Sequence, residues 1–345
     1  MKTLEVRGKL NTSRVLLGAS MSNLGKYCDL KKTVIISDRN VLSNCGKRLP
    51  KCKTIEIGTG EGSKTLKTVE EIYKGLLEIG VDRSYFILGV GGGIVCDIAG
   101  FAASTYLRGL KFGFVPTSLL AQADASIGGK NGVNFMGFKN LVGTINQPEF
   151  VLCDFSLLTS LPEAEIRNGY AEVIKVAAIA DSSLLDYLEQ NVEKALALDK
   201  GFLEEAIYRS GTIKAKIVSE DETENGARRM LNFGHTIGHA IEKTYKLRHG
   251  EAVSVGMVAA ARISQSKGML GKAEVDKLAH VLAIFGLPVS KTMDPKLIMN
   301  AITKDKKRTG GAINFVFLSG LGNGVSTQIS ISELEGAVND MCMHS

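Results

Sequence analysis

Three of the chain's five histidines fall within fifteen residues. His235 and His239 are four residues apart, which puts them on one face of a helix, and His249 follows soon after. Imidazoles at this spacing can share a divalent metal or divide into a ligand and an acid–base group. An oxygen ligand could come from any of three carboxylates: Glu172, Glu242 or Glu251. A lone helix histidine is usually structural, but three together favour a metal or catalytic site.

A glycine-rich segment offers a second place for chemistry. Gly91, Gly92 and Gly93 follow a predicted strand and open a predicted helix. Bare amides at a helix N-terminus can bind a pyrophosphate, although the spacing differs from G-x-G-x-x-G and a plain turn has the same glycines. Asp97 lies one helical turn on, and Asp38 ends the first predicted strand of the sheet, where a carboxylate can bind ribose hydroxyls. A nucleotide site is therefore a hypothesis at this stage.

Several basic residues stand beside glycine or inside apolar segments. Lys130 follows two glycines, and Lys139 follows a Gly-Phe pair. Glycine lets a flexible ammonium approach a phosphate or carboxylate closely. Three more basic residues interrupt otherwise apolar stretches: Lys175, Lys214 and Arg228. Most lysines are solvated surface residues, but this set favours a small anionic ligand.

The composition limits the class of protein. The chain has 345 residues, 44% hydrophobic and 23% charged, which is typical of a folded globular protein. This length favours two domains. No apolar run is long enough to span a membrane and no signal pattern is seen, so we expect a cytoplasmic protein without a membrane partner. The net charge of +6 includes no block of like charges, so we expect no nucleic-acid partner.

The elements that must position these residues change in character along the chain. Short β-branched runs predict strands at 33–37, 54–57, 85–88, 113–116 and 150–153. Helical spacing predicts helices between them at 66–79 and 94–106. From about residue 158 the predicted helices are 171–180, 202–218, 233–245 and 251–267, with one late strand at 312–318. The sequence thus predicts an α/β protein with a parallel-sheet nucleotide-binding domain over residues 1–157 and a mainly α-helical metal- and substrate-binding domain over 158–345.

Six strings, in order, carry a resemblance to a known family. They are GGGIVCDIAGFAASTYLRG, PTSLLAQADASIGGKNGVN, GFKNLVGTINQP, NGYAEVIK, DETENGARRMLNFGHTIGHAIE and RHGEAVSVGM. Together they resemble the 3-dehydroquinate synthases, a family of sugar-phosphate cyclases. The similarity runs in register from about residue 33 to about residue 322, so the ordered set is far more specific than any one glycine motif.

The resemblance implies a metal centre and acid–base groups. The metal, zinc or cobalt, would be held by Glu172, His235 and His249, leaving two coordination positions for neighbouring substrate hydroxyls. His239 would then not be a ligand but would lie beside the substrate phosphate and take part in proton transfer. Two further catalytic candidates are Glu224 and Lys130.

The resemblance also implies the ligand contacts. The substrate would be bound by Arg108, Asp124, Lys130, Asn140, Lys175, Lys214, Arg228, Asn232 and Lys306 or Lys307. Either of the last two lysines could point inward. NAD would be bound by Asp38, Glu61, Lys64, Gly91, Gly92, Gly93, Ile94, Asp97, Thr117, Ser118, Lys139 and Asn140.

The family reaction belongs to the shikimate pathway of aromatic amino acid biosynthesis. NAD oxidises a hydroxyl of 3-deoxy-D-arabino-heptulosonate 7-phosphate, phosphate is eliminated, and the same cofactor reduces the ketone. Ring opening and an intramolecular aldol closure then give 3-dehydroquinate. The resemblance further implies a homodimer in which Arg108 reaches the phosphate bound to the other subunit.

Three other functions remain open at this point. Another sugar-phosphate cyclase, such as a 2-deoxy-scyllo-inosose or 2-epi-5-epi-valiolone synthase, would share the fold, metal and NAD but take a different phosphate. A metal-dependent polyol dehydrogenase would produce NADH in net terms. A non-catalytic NAD- or metal-binding regulator would have no physical need to keep every expected ligand and acid–base position filled.

Overall fold

The computed structural model describes residues 1–306 and 312–343. By its contacts the chain forms two compact units. The first contains Met1–Ile166 and Lys200–Thr223, and the second contains Arg167–Asp199 and the described residues from Glu224 onward. The division into domains at residues 157 and 158 stays a prediction. Within the described residues, no helix is long and apolar enough to cross a membrane.

The strands of the described residues form one large sheet and two hairpins. They are β1 (Lys2–Arg7), β2 (Thr12–Leu17), β3 (Thr33–Asp38), β4 (Lys53–Ile57), β5 (Phe86–Gly91), β6 (Lys111–Pro116), β7 (Lys130–Phe135), β8 (Phe138–Ile145), β9 (Phe150–Cys153), β10 (Ala312–Leu318) and β11 (Gly324–Ser330). The seven-stranded sheet has the order β1-β2-β9-β6-β5-β3-β4. Only β1 pairs antiparallel within it; the other neighbours are parallel.

The helices account for most of the second unit. They are α1 (Arg39–Cys45), α2 (Leu66–Ile79), α3 (Gly93–Thr105), α4 (Glu163–Ala180), α5 (Ser182–Gln190), α6 (Val192–Leu196), α7 (Lys200–Glu220), α8 (His235–Tyr245), α9 (His249–Ser266), α10 (Lys272–Ile284), α11 (Pro295–Lys306) and α12 (Ile331–Met343). The helix α7 belongs by its contacts to the first unit, where it packs on β1. The predicted α/β fold with a helical second half is confirmed.

The central strands are apolar on both faces because both faces are covered. In β3, Val34, Ile35 and Ile36 are all fully buried, and every residue of β5 is buried. For this reason the sequences of buried parallel strands are continuous apolar runs. The same runs made these strands predictable from the sequence.

The chain reverses its direction of strand addition between β3 and β5. After β3 the chain adds β4 on one side, and then adds β5 on the other side of β3. At such a reversal the carboxyl ends of the two strands diverge and leave a crevice, which is where open α/β sheets bind ligands. Asp38 ends β3 and Gly91 ends β5, so both stand at this crevice.

The hairpin of β7 and β8 was not predicted. Its strands approach unusually closely at Gly132 and Gly143, where a Cβ would lie 2.6 Å and 2.3 Å from carbonyl oxygens of the opposite strand. The first four residues of β8 are exposed and the last four alternate between half-buried and exposed, so the strand has no buried apolar run. A strand held by close glycine packing therefore gives little hydrophobic signal.

In the second unit, small residues let α8 pack closely on α9. Gly234 adopts φ +75°, and a Cβ there would lie 2.8 Å from the Met257 amide nitrogen. A Cβ on Gly256 would lie 2.1 Å from the Gly234 carbonyl oxygen. His235 begins α8 and His249 begins α9, and the centres of their rings lie 5.4 Å apart.

Candidate active site

Three side chains in the second unit converge as a metal-ligand group. Glu172 from α4, His235 from α8 and His249 from α9 each offer one ligand atom, and these atoms lie within 4.8 Å of one another. Glu172 Oε1 is 3.2 Å from His249 Nε2 and 3.7 Å from His235 Nε2. One carboxylate and two imidazoles form a donor set that suits zinc or cobalt and leaves positions open for substrate.

The carboxylate of this group is held ionised. Glu172 is 1% exposed and forms an ion pair with Lys175, one helical turn along α4. Burial alone opposes ionisation, but the Lys175 ammonium and the two imidazoles outweigh it and hold the pKa of Glu172 well below its usual value. The side chain is therefore in the form that binds a cation.

Hydrogen bonding fixes which nitrogen of His235 faces the group. His235 Nδ1 is 3.1 Å from the Phe233 carbonyl oxygen. Because a carbonyl oxygen can only accept a hydrogen bond, Nδ1 must carry the proton. This leaves Nε2 as the acceptor nitrogen, directed toward Glu172. Burial and the nearby Lys175 charge lower the pKa of His235 well below its usual value. A neutral imidazole is the form that binds a metal.

The carboxylate of Glu242 orients His249. His249 Nδ1 lies 3.3 Å from Glu242 Oε2, whereas Nε2 faces Glu172. Burial lowers the pKa of His249, but its hydrogen bonds to the two carboxylates outweigh burial and raise the pKa to about 9. A cation bound at Nε2 must displace a proton there. A carboxylate on the far nitrogen of a ligating histidine is a common way to fix its ring.

Two other residues considered in the sequence analysis, His239 and Glu251, lie outside the group formed by Glu172, His235 and His249. His239 is exposed, one turn after His235 on α8, and its ring centre lies 5.0 Å from that of His235 and 5.9 Å from that of His249. It is not in the group with Glu172. The suggestion that Glu251 supplies a ligand is not supported, because its carboxylate accepts from the Arg248 backbone amide at 3.1 Å and caps α9.

The segment before α8 holds a further polar set in the same unit. Asn232 Nδ2 donates to Glu224 Oε1 at 2.5 Å, and Glu224 adopts φ +62°. Arg228 is 4% exposed and therefore buries its guanidinium within the protein. The roles of these three residues in catalysis and substrate binding stay predictions.

The predicted nucleotide residues stand at the crevice of the first unit. Gly92 is the N-cap of α3, and a Cβ on Gly91 would lie 2.5 Å from the Val95 side chain. The Thr117 amide donates to the Gly91 carbonyl at 2.9 Å across neighbouring strand ends. Asp38 Oδ1 accepts from the Val41 amide at 2.9 Å. The other residues of this group lie at the start of α3 or just after β6: Gly93, Ile94 and Ser118.

Lys64 contacts both α3, at the crevice, and the β7–β8 hairpin. It is 5% exposed, forms an ion pair with Asp97 and donates to Asn140 Oδ1 at 2.5 Å. Burial raises the pKa of Asp97, although the Lys64 ammonium opposes this shift. Asn134 donates to Glu61 Oε1 at 2.8 Å and accepts from the Asn140 amide at 2.9 Å. Four predicted nucleotide residues are thereby joined in one network through Asn134.

Asn134 was not predicted, and neither was Asn168. In the second unit, Asn168 is 5% exposed and its Oδ1 accepts from the Gly250 amide at the start of α9. It therefore positions the turn that carries His249. Asn168 begins the NGYAEVIK string and Asn134 ends the PTSLLAQADASIGGKNGVN string, so both residues could have been found within the motifs.

A second buried ammonium in the first unit is Lys214. It is 5% exposed, and its Nζ donates to Asp124 Oδ1 at 2.6 Å and to the Asp124 carbonyl at 2.7 Å. Lys130 and Lys139 are both exposed, at the start of β7 and within β8. These positions are compatible with anion binding, which stays a prediction for each.

Arg108 lies at an exposed turn after α3. It adopts φ +64° and follows Leu107 at φ +49°, so two successive non-glycine residues have left-handed backbone conformations. Leu107 is 42% exposed. Lys307 and the side chain of Lys306 lie outside the part of the chain that the structure describes.

Comparisons with known proteins agree with this architecture. Two family models match successive parts of the chain: 3-dehydroquinate synthase N-terminal over residues 54–168 and 3-dehydroquinate synthase C-terminal over residues 169–308. The 3-dehydroquinate synthase of Saccharolobus solfataricus is 43% identical over 333 residues, which cover 94% of each chain.

Two solved structures share the fold over almost the entire chain. One is 2-epi-5-epi-valiolone synthase from Streptomyces hygroscopicus subsp. jinggangensis with NAD+ and Zn2+ bound, with a TM-score of 0.88, 27% identity and 100% coverage of both chains. The other is 2-deoxy-scyllo-inosose synthase complexed with carbaglucose-6-phosphate, NAD+ and Co2+, with a TM-score of 0.87, 26% identity and coverage of 99% and 100%.

The fold and its relatives define the class as sugar-phosphate cyclases. Within that class, the chain belongs to the 3-dehydroquinate synthase family. The resemblance seen in the sequence is therefore confirmed.

Proposed function

We propose that the protein converts 3-deoxy-D-arabino-heptulosonate 7-phosphate into 3-dehydroquinate and phosphate, as a phosphate-eliminating lyase that uses catalytic NAD and a divalent metal. The observation that carries the proposal is the Glu172, His235 and His249 group in a chain of this family. A regulator released from catalysis would not need a buried carboxylate held ionised next to two oriented imidazoles.

The residues present fit a zinc or cobalt ion. Glu172 is ionised, and His249 is oriented by Glu242. His235 is neutral and donates from Nδ1 to a backbone carbonyl, so its Nε2 is the nitrogen that can bind the ion. When bound, such an ion acts as a Lewis acid that polarises a substrate oxygen. A glutamate and two histidines can bind either zinc or cobalt. The related 2-epi-5-epi-valiolone synthase structure contains Zn2+, and the 2-deoxy-scyllo-inosose synthase structure contains Co2+.

The chain's own residues supply binding and proton transfer. Lys214 and Arg228 are buried cations suited to bind the substrate carboxylate, and Lys175 balances the charge of Glu172. His239 is exposed one turn beyond His235, where it can exchange a proton with bound substrate. Glu224, held by Asn232, is a second acid–base candidate.

The first unit has the features of an NAD site. The Gly91–Gly92–Gly93 segment at the start of α3 can receive the pyrophosphate, and Asp38 retains one carboxylate oxygen for a ribose hydroxyl. A carboxylate here favours NAD over a nucleotide with a 2′-phosphate because like charges repel. Lys64, Asp97 and Asn140 line the same part of the unit.

We expect NAD to be needed only in amounts far below those of the substrate. Oxidation and reduction both occur within one turnover, so no NADH accumulates. The measurement is absorbance at the NADH band during complete conversion of excess substrate by enzyme with trace NAD. Build-up of NADH in proportion to product would instead indicate a polyol dehydrogenase.

We further propose a homodimer in which Arg108 completes the phosphate site of the other subunit. The support is its exposed position on a left-handed turn, next to the exposed Leu107. Arg108→Ala and Lys214→Ala homodimers should both be poorly active, because every site lacks one anion-binding group.

Mixing these two variants should restore activity. In a mixed dimer, the site on the Arg108→Ala chain keeps its own lysine and receives an intact arginine from the partner. Co-refolded samples with differently tagged chains allow the mixed dimer to be isolated and assayed. A mixed dimer as inactive as its parents would show that Arg108 acts within its own chain or not at all.

A further inference from the structure

A second group of ligand atoms adjoins the proposed metal centre. His239, Glu242 and His249 each offer one ligand atom, and these atoms also lie within 4.8 Å of one another. This second group shares His249 with the first, and its carboxylate, Glu242, faces the other nitrogen of that ring. Nδ1 is 3.3 Å from Glu242 Oε2, whereas Nε2 is 3.2 Å from Glu172 Oε1.

The geometry of α8 makes this second group accessible. His239 and Glu242 are three residues apart and so share one face of the helix. His239 is exposed, and the Glu242 side chain is 14% exposed. A carboxylate and two imidazoles are ligands that zinc accepts readily. An ion from solvent can reach this group through His239.

We propose that His239, Glu242 and His249 form a second, weaker site for a divalent transition-metal ion, and that filling it inhibits the enzyme. The inhibition rests on the proposed function of His239 in proton transfer, because a nitrogen that binds a cation cannot carry a proton. Binding at Nδ1 of His249 sends the proton of that nitrogen to solvent and takes Glu242 away from the ring that it orients. These costs make the second site weaker than the first.

The test is zinc binding to protein that already holds one ion per chain. Equilibrium dialysis against increasing free zinc, with metal analysis, should show a second ion per chain in the wild type. His239→Ala should keep the first ion and weaken the second by at least the roughly 10- to 100-fold that loss of a supporting contact costs. His280→Ala is the matched control, because His280 is an exposed histidine on α10 beside Glu189 and should change neither ion.

The same samples are assayed for turnover. Wild-type and His280→Ala enzymes should slow as the second ion binds, and the residual activity of His239→Ala should not depend on excess zinc. Absence of a second ion in the wild type, or an unchanged second ion in His239→Ala, overturns the second site. Absence of the first ion from the wild type would instead contradict the proposed metal centre, so the two failures are distinguishable.

Discussion

His235→Ala and His249→Ala proteins are each expected to lose the bound metal and at least about a thousandfold in kcat/KM, since Lewis-acid stabilisation supplies several kcal/mol and about 1.4 kcal/mol is tenfold in rate. Each change removes one of the three proposed protein ligands, and the remaining two cannot fix the geometry of the ion. Metal analysis of dialysed protein and steady-state kinetics together measure the effect. Circular dichroism checks that each variant is folded.

His239→Ala separates a ligand from an acid–base residue. His239 lies on the same helix face as His235, and the centres of their rings are 5.0 Å apart. The His239→Ala variant is therefore a matched control for loss of an imidazole from this region. It should retain the first metal ion and lose activity in the proton-transfer steps. A His235→Ala enzyme with full metal content and near-normal turnover would disprove the assignment of ligands.

Removing Lys214 is expected to have the next largest effect. Lys214→Ala should reduce kcat/KM by roughly 30- to 1000-fold, corresponding to about 2 to 4 kcal/mol for a desolvated charge pair with the substrate carboxylate. The lysine is 5% exposed, so water does not screen its charge strongly. Steady-state kinetics measure the loss, and a reduction below tenfold would count against this role.

The control for this variant is Lys216→Ala. Lys216 is exposed on the same helix, two residues further along α7, and its removal should leave kcat/KM almost unchanged. A second comparison separates substrate binding from stability, because Lys214→Ala also leaves Asp124 without its 2.6 Å partner. The thermal stability of Lys214→Ala is therefore measured beside its kcat/KM, and a loss of kcat/KM in protein that stays folded at the assay temperature assigns Lys214 to substrate binding. Normal kcat/KM in the folded fraction of a destabilised variant would assign Lys214 a structural role.

Much of the fold was predictable because the core strands carry a strong signal. β3 and β5 are buried on both faces, so their apolar runs are continuous, and α2 repeats apolar residues at helical spacing. The late strand β10 was also found in the sequence, but its partner β11 was not. β11 is half-buried or exposed at most positions, and only Ile329 among its residues is buried deeply.

The residue types of the candidate site could be predicted from the sequence, but the contacts between its side chains could not. The histidine cluster indicated a metal or catalytic site, but spacing alone could not choose among Glu172, Glu242 and Glu251 as the oxygen ligand. Those residues lie on α4, α8 and α9, and only the packing of these helices decides which carboxylate faces which nitrogen. The resemblance named Glu172, whereas the pairing of Glu242 with His249 Nδ1 required the structure.

One assay tests the central claim most directly. The purified protein is incubated with 3-deoxy-D-arabino-heptulosonate 7-phosphate, trace NAD and zinc, and phosphate release is followed together with formation of 3-dehydroquinate. We predict equal amounts of the two products, dependence on both added factors after chelation and dialysis, and no accumulated NADH. Phosphate release without 3-dehydroquinate, or no reaction by folded protein loaded with metal and NAD, would contradict the assignment.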